Sequence, residues 1–198
     1  MSIPIPQDYE QARGFDGSAA PELTVGGHIC RIRNAYMAKT KSGKDQLVLE
    51  YDIAEGGEFD GYYQKRFNKA QQYSSNAKWG GVFRSTILNN EGKTNGFFKG
   101  LVTAIEESNN GYDFRKTNGD ERQMVGKLVG FNFGEEEYEG YDGNVRTSVK
   151  PSYAVSVARV REGVVAPAKK LLEKSKPQQA QGYPTGYTEV ENTDELPF

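Results

Sequence analysis

Residues 46–53 read Gln46-Leu47-Val48-Leu49-Glu50-Tyr51-Asp52-Ile53. Leu47, Leu49, Tyr51 and Ile53 alternate with Gln46, Val48, Glu50 and Asp52, and a period of two puts the first set on one face of a strand, in a core. Outward from this strand, His28 to Met37 reads as a preceding strand, joined through the turn-rich Lys39-Thr40-Lys41-Ser42-Gly43-Lys44-Asp45. On the other side, Glu55-Gly56-Gly57-Glu58 permits a tight reversal into a third strand, Phe59 to Phe67. The expectation is a three-stranded meander over residues 26–67.

This meander interleaves cations with rings: Arg31, Arg33, Tyr36, Lys39, Lys41, Lys44, Tyr62, Tyr63, Lys65, Arg66 and Phe67. Such a mixture suits a single nucleic-acid strand, whose phosphates meet the cations and whose bases stack on the rings. The net charge of −2 does not oppose this, because the charge is segregated. Residues 31–84 carry ten cations against six anions, Glu135, Glu136, Glu137, Glu139 and Asp142 crowd one short stretch, and residues 187–198 hold four acids and no cation.

A chain of 198 residues with 36% hydrophobic content has room for one domain and a solvated tail. It contains no apolar run of the ~20 residues that a membrane span needs. Its start, Met1-Ser2-Ile3-Pro4-Ile5-Pro6, lacks the basic and apolar parts of a secretory signal, so the expected location is the cytosol. His28 and Cys30 are the only histidine and cysteine, which excludes a disulfide framework and a zinc site of several such ligands. We read them as a strand histidine and a small buried thiol, and expect no cofactor and no catalytic residue.

In chain order, residues 1–24 form a proline-interrupted arm and residues 25–162 the domain. Trp79, Val82, Phe83, Thr86 and Ile87 fit one face of a helix weakened by Gly80 and Gly81. Trp79 has two readings, a core anchor or a stacking platform beside Lys78 and Arg84. Glu91-Gly92-Lys93-Thr94 resembles the end of a phosphate loop, but Ile87 stands where its opening glycine belongs, so it is a turn. Phe98, Leu101, Val102 and Ile105 predict a helix that starts at Thr94 or Asn95 and ends at Asn109-Asn110-Gly111. Residues 122–133 and 145–160 read as strands around an acidic loop, 134–144. Three strands, a helix-containing insertion and two strands are the order of an OB-fold, a five-stranded Greek-key barrel that binds oligonucleotides or oligosaccharides. Residues 163–198 read as a flexible tail, with a short helical tendency over 164–177 and a Gln/Gly/Tyr/Pro-rich stretch after it.

The chain ends in acidic residues followed by Leu196-Pro197-Phe198, which resembles the acidic tip of bacterial single-stranded DNA-binding proteins, where Ile-Pro-Phe is usual. The Thr40-Lys41-Ser42-Gly43-Lys44 turn is similar to that of OB-fold single-stranded DNA-binding proteins of tailed phages. The resemblance implies a protein that coats single-stranded DNA in replication, recombination and repair, in a host cytoplasm if phage-encoded, and recruits partner enzymes. It also implies that Phe198 fills an apolar pocket on a partner while Asp194 and Glu195 meet a basic rim. Independently of it, a tethered polyanion competes with DNA for a basic groove, and edge strands of such barrels allow a homodimer. Two other classes stay open. One is an adaptor whose barrel binds protein or sugar. The other is a metal-dependent nuclease built on Glu135, Glu136, Glu137, Glu139 or Asp142.

Overall fold

The computed structural model describes residues 4–7, 9–10, 21–55 and 57–172. The alternating segment is a strand, β2 (Asp45–Ile53), antiparallel to β1 (Gly26–Lys39). Between them the chain reverses where Thr40 N–H donates to Lys44 O at 2.8 Å and Gly43 takes φ 81°. Three more strands follow, β3 (Val82–Thr86), β4 (Leu128–Glu139) and β5 (Val145–Val155). All pair antiparallel in the order β3-β2-β1-β4-β5, so the protein is mainly β, with an open sheet whose edges are β3 and β5.

Leu47, Leu49, Tyr51 and Ile53 are all buried, as the alternation requires. They pack with Cys30 and Ile32 of β1, with Val129, Phe131 and Phe133 of β4, and with Leu101, Val102 and Ile105 of a helix, α2 (Gly96–Ser108). Each such side chain contributes roughly 1.5–3 kcal/mol on leaving water. The β1–β2 register moves from Ile32 opposite Tyr51 to Asn34 opposite Glu50, so Arg33 is an extra, bulged residue. The bulge lets Ile32 and Ala35 both face inward. At the start of α2 the Asn95 side chain accepts from Phe97 N–H, closing the predicted cap. His28 is buried edge-on between Phe59 and Phe133, and Cys30 lies fully inside.

Several segments differ from the sequence reading. Phe59–Phe67 is not a third strand: a 3-10 turn (Gly57–Phe59) leads through Gly61, at φ 64°, into a helix, α1 (Tyr62–Gln71). Gly61 has no side chain to cap this helix, and the buried carboxylate of Asp52 does so instead. Its Oδ1 accepts from Tyr63 N–H at 2.9 Å and its Oδ2 from Gln64 N–H at 3.2 Å. The third strand is Val82–Thr86, in the stretch whose spacing mimics a helix face. Gly81 decides this, because its backbone lies against β2 (Tyr51 N–H donates to Gly81 O at 2.8 Å) where a Cβ would meet the Tyr51 carbonyl.

The expected strand over 122–133 begins only at Leu128, after a 3-10 turn (Glu121–Met124). Much of the expected acidic loop is strand, since β4 runs on to Glu139. The last strand stops at Val155, with a bulge opposite Asn132/Phe133 beside Pro151, and a short helix, α3 (Val157–Glu162), follows.

Beyond Gly163 the chain is extended rather than helical and lies back on the sheet as a strap reaching Leu172. Gly27 of β1 and Gly130 and Gly134 of β4 form a lane without side chains beneath α3 and the strap. A Cβ on Gly27 would come within 2.6 Å of Val164, on Gly130 within 2.5 Å of Val160, and on Gly134 within 3.2 Å of Pro167. Asn132 Nδ2 donates to Val165 O at 2.8 Å, fixing the strap midway.

Candidate nucleic-acid interface

The sheet edges face one another across a hollow of about 840 Å³ that is lined from β3 by Val82, Phe83 and Arg84 and from β5 by Val149, Lys150 and Pro151. A second hollow of about 650 Å³ lies between α1 and the β4–β5 hairpin, with Tyr62, Arg66, Phe67 and Lys78 on one wall and Glu135, Tyr138 and Thr147 on the other. Tyr63, Gly80, Ser148 and Val149 line both, so the two form one cleft. Ser148 Oγ, buried where they meet, has no hydrogen-bond partner among the described residues.

Of the residues singled out from the sequence, the structure brings Tyr62, Tyr63, Arg66, Phe67, Trp79 and Arg84 to this cleft. Arg66 folds over the Tyr62 ring, its guanidinium carbon 5.3 Å from the centroid and its Nη1 donating to Tyr62 Oη at 3.0 Å. The pair presents a flat cationic and aromatic surface. Tyr63 is held from behind, its ring edge-on to Tyr51 at 5.4 Å, and burial pushes its hydroxyl well above the ordinary tyrosine range. It therefore stays a neutral donor at any physiological pH. Lys65 is exposed on α1, and neither it nor Arg66, Lys78 or Arg84 has an ion pair among the described residues.

Trp79 anchors the fold. Its Nε1 donates to Tyr51 O and Gly81 O, both at 3.1 Å, its ring lies 5.6 Å from Phe67, and Arg33 sits over it at 5.3 Å. Arg33 is held in turn 3.8 Å from Asp52, and Arg31 donates to Gly126 O at 3.0 Å. These two cations, with Tyr36, lie on the outward face of β1, where the register sets Tyr36 beside Val48 and Val48 beside Arg84. Lys39, Lys41 and Lys44 lie at the β1–β2 turn, away from the cleft, with Lys39 paired to Asp45 at 2.7 Å and Lys44 bonded to Asn90.

The sequence reading missed the far wall. Tyr138 and Lys150 belong there, with the Lys150 Nζ 5.8 Å from the Tyr138 ring, and Phe97, 62% exposed, projects from the start of α2. Tyr138 is found only once Glu135 to Glu139 is recognised as strand, which the run of glutamates does not signal. The acidic run itself is not a cluster of bare carboxylates. Glu136 meets Lys150 at 3.5 Å and Lys170 at 2.7 Å, Glu137 meets Lys169 at 2.9 Å, and Asp142 meets Arg146 at 2.9 Å. Among the described residues no three histidines, cysteines or acids are grouped to hold a metal ion. No helix among them is long and apolar enough to cross a membrane. The tip, Asp194 to Phe198, lies outside the described residues. Comparison of the chain with models of known protein families and with curated proteins finds no match.

Proposed function

We propose that this protein binds a single nucleic-acid strand, without enzymatic turnover, in the cleft between α1 with β3 and the β4–β5 hairpin. The observation that carries the reading is the chemistry of the two walls. Arg66, Lys78 and Arg84, without an ion pair among the described residues, alternate with Tyr62, Tyr63 and Phe67 opposite Tyr138 and Lys150. Phosphates take the cations and bases stack on the rings, with little base selectivity. The strand order β3-β2-β1-β4-β5, with α2 between β3 and β4, supports an OB-type barrel left partly open between its third and fifth strands. Roles in DNA replication, recombination and repair, and recruitment of partner enzymes through the tip, belong to the same reading and rest on the likeness of the chain end.

The test is a fluorescence-anisotropy titration of labelled oligo-dT with the full chain at two salt concentrations. Affinity should fall steeply with salt, and Arg66→Ala and Arg84→Ala should each lower the slope of log K against log salt by roughly 0.7. Binding that is absent at low salt overturns the proposal.

A further inference from the structure

The strap docks as an added parallel strand on the part of β4 that β1 does not reach. Lys170 N–H donates to Glu135 O at 2.8 Å and Glu137 N–H donates to Lys170 O at 2.9 Å. Its side chains add charge to this backbone pairing. Lys170 Nζ lies 2.7 Å from Glu136, Lys169 Nζ lies 2.9 Å from Glu137, and Leu172 N–H donates to Glu137 Oε2 at 3.2 Å.

Glu136 lines the cleft beside Lys150, so its carboxylate stands between a lysine of the strap and a lysine of the binding wall. Lys170 first, and Lys150 with it, hold the Glu136 carboxyl below the ordinary carboxylate range, so it is fully charged at neutral pH. With the strap docked, two lysines share that charge and Lys150 keeps a surplus for a phosphate. Without it, Glu136 takes Lys150 alone. Gly163, at φ 98°, is the joint at which the strap turns away from α3.

We infer that strap docking and strand binding reinforce one another, Lys170 acting as a positioning residue that frees Lys150 for phosphate through Glu136. This rests on the cleft reading above. Coupling of this kind is reciprocal, so a bound strand must tighten the strap by the factor by which the strap tightens the strand. A partner that pulls the strap off the sheet would thereby loosen the nucleic acid.

Two experiments on the full chain test it. In oligo-dT titrations at low salt, Lys170→Ala should weaken binding roughly three- to fivefold, in line with the energy of an exposed ion pair, and Glu136→Gln added to Lys170→Ala should restore it. In amide hydrogen exchange, saturating oligo-dT should slow exchange at Lys170 and Glu137, whose N–H groups make the strap's backbone bonds, by a similar factor. Unchanged affinity in Lys170→Ala, a loss that Glu136→Gln does not repair, or exchange indifferent to bound strand overturns the coupling alone. Failure of the unaltered chain to bind oligo-dT overturns the cleft reading and the coupling with it.

Discussion

Gly81 shows how much one missing side chain can determine. Trp79 and Gly81 tie the chain to the hydrogen-bonding edge of β2, and the space between Gly81 and the Tyr51 carbonyl admits no Cβ. Gly81→Ala must therefore push β3 away from β2 or bend it. The expected cost is about 1–3 kcal/mol, the range for forcing extra atoms into a packed site, read as a lower denaturation midpoint with an unchanged m-value. Gly96→Ala, whose Cβ would meet nothing within 4 Å, is the control. At this scale the sequence was partly legible. The buried set Leu47, Leu49, Tyr51 and Ile53 follows from alternation alone. That Trp79 is tied to the backbone of β2 does not, since the Tyr51 carbonyl that holds it lies far back in the chain. The mate of Arg33 is equally hidden, because the bulge that turns Arg33 toward Trp79 and Asp52 leaves no local signature.

Among the elements, α1 depends for its N-terminal cap on a distant residue. It has no cap of its own and takes one from β2, so Asp52→Ala should cost about 1–2 kcal/mol by loss of the N-terminal bonds. It should also free Arg33 from its ion pair. Urea denaturation reads the first effect, and a stability equal to the unaltered chain would show that α1 needs no cap. The strap is an element that answers to pH. Glu136 titrates below its unfolded value, so its contribution is complete above the ordinary carboxylate range and is lost as pH falls through the folded-state value. Glu137 holds Lys169 above the ordinary lysine range, so that contribution is complete below that range and is lost only as pH rises through the raised value. The strap should thus stay docked across neutral pH and loosen in acid, below ~4.3. The backbone amide resonance of Lys170, followed through an acid titration, should move only in that window. From sequence, β2, α2 and the β1–β2 turn were legible because period, cap and glycine all agree there. The strap was not, because lysines after a proline read as solvated chain until Glu136 and Glu137 are known to lie beside them. The strand β3 was misread because Trp79, Val82, Phe83, Thr86 and Ile87 satisfy a helical spacing by accident.

For the whole molecule, the sheet order places the first hairpin of the chain, β1–β2, toward the middle of the sheet and the cleft between the two ends. The basic face expected around the meander is therefore divided. Arg31, Arg33 and the lysines of the β1–β2 turn are spent largely on partners within the protein, while Arg66, Lys78 and Arg84 are left at the cleft. No backbone pair joins β3 to β5 among the described residues, so the sheet is open between its two edges. A closed ring must be threaded by a free end. On the proposed reading, a strand would enter this gap sideways, like a thread laid into a slot, and a molecule with no ends at all would enter it too. Covalently closed single-stranded circles should load as fast as linear strands of the same length, in stopped-flow mixing at equal nucleotide concentration. A marked lag for circles would show that the slot shuts in solution.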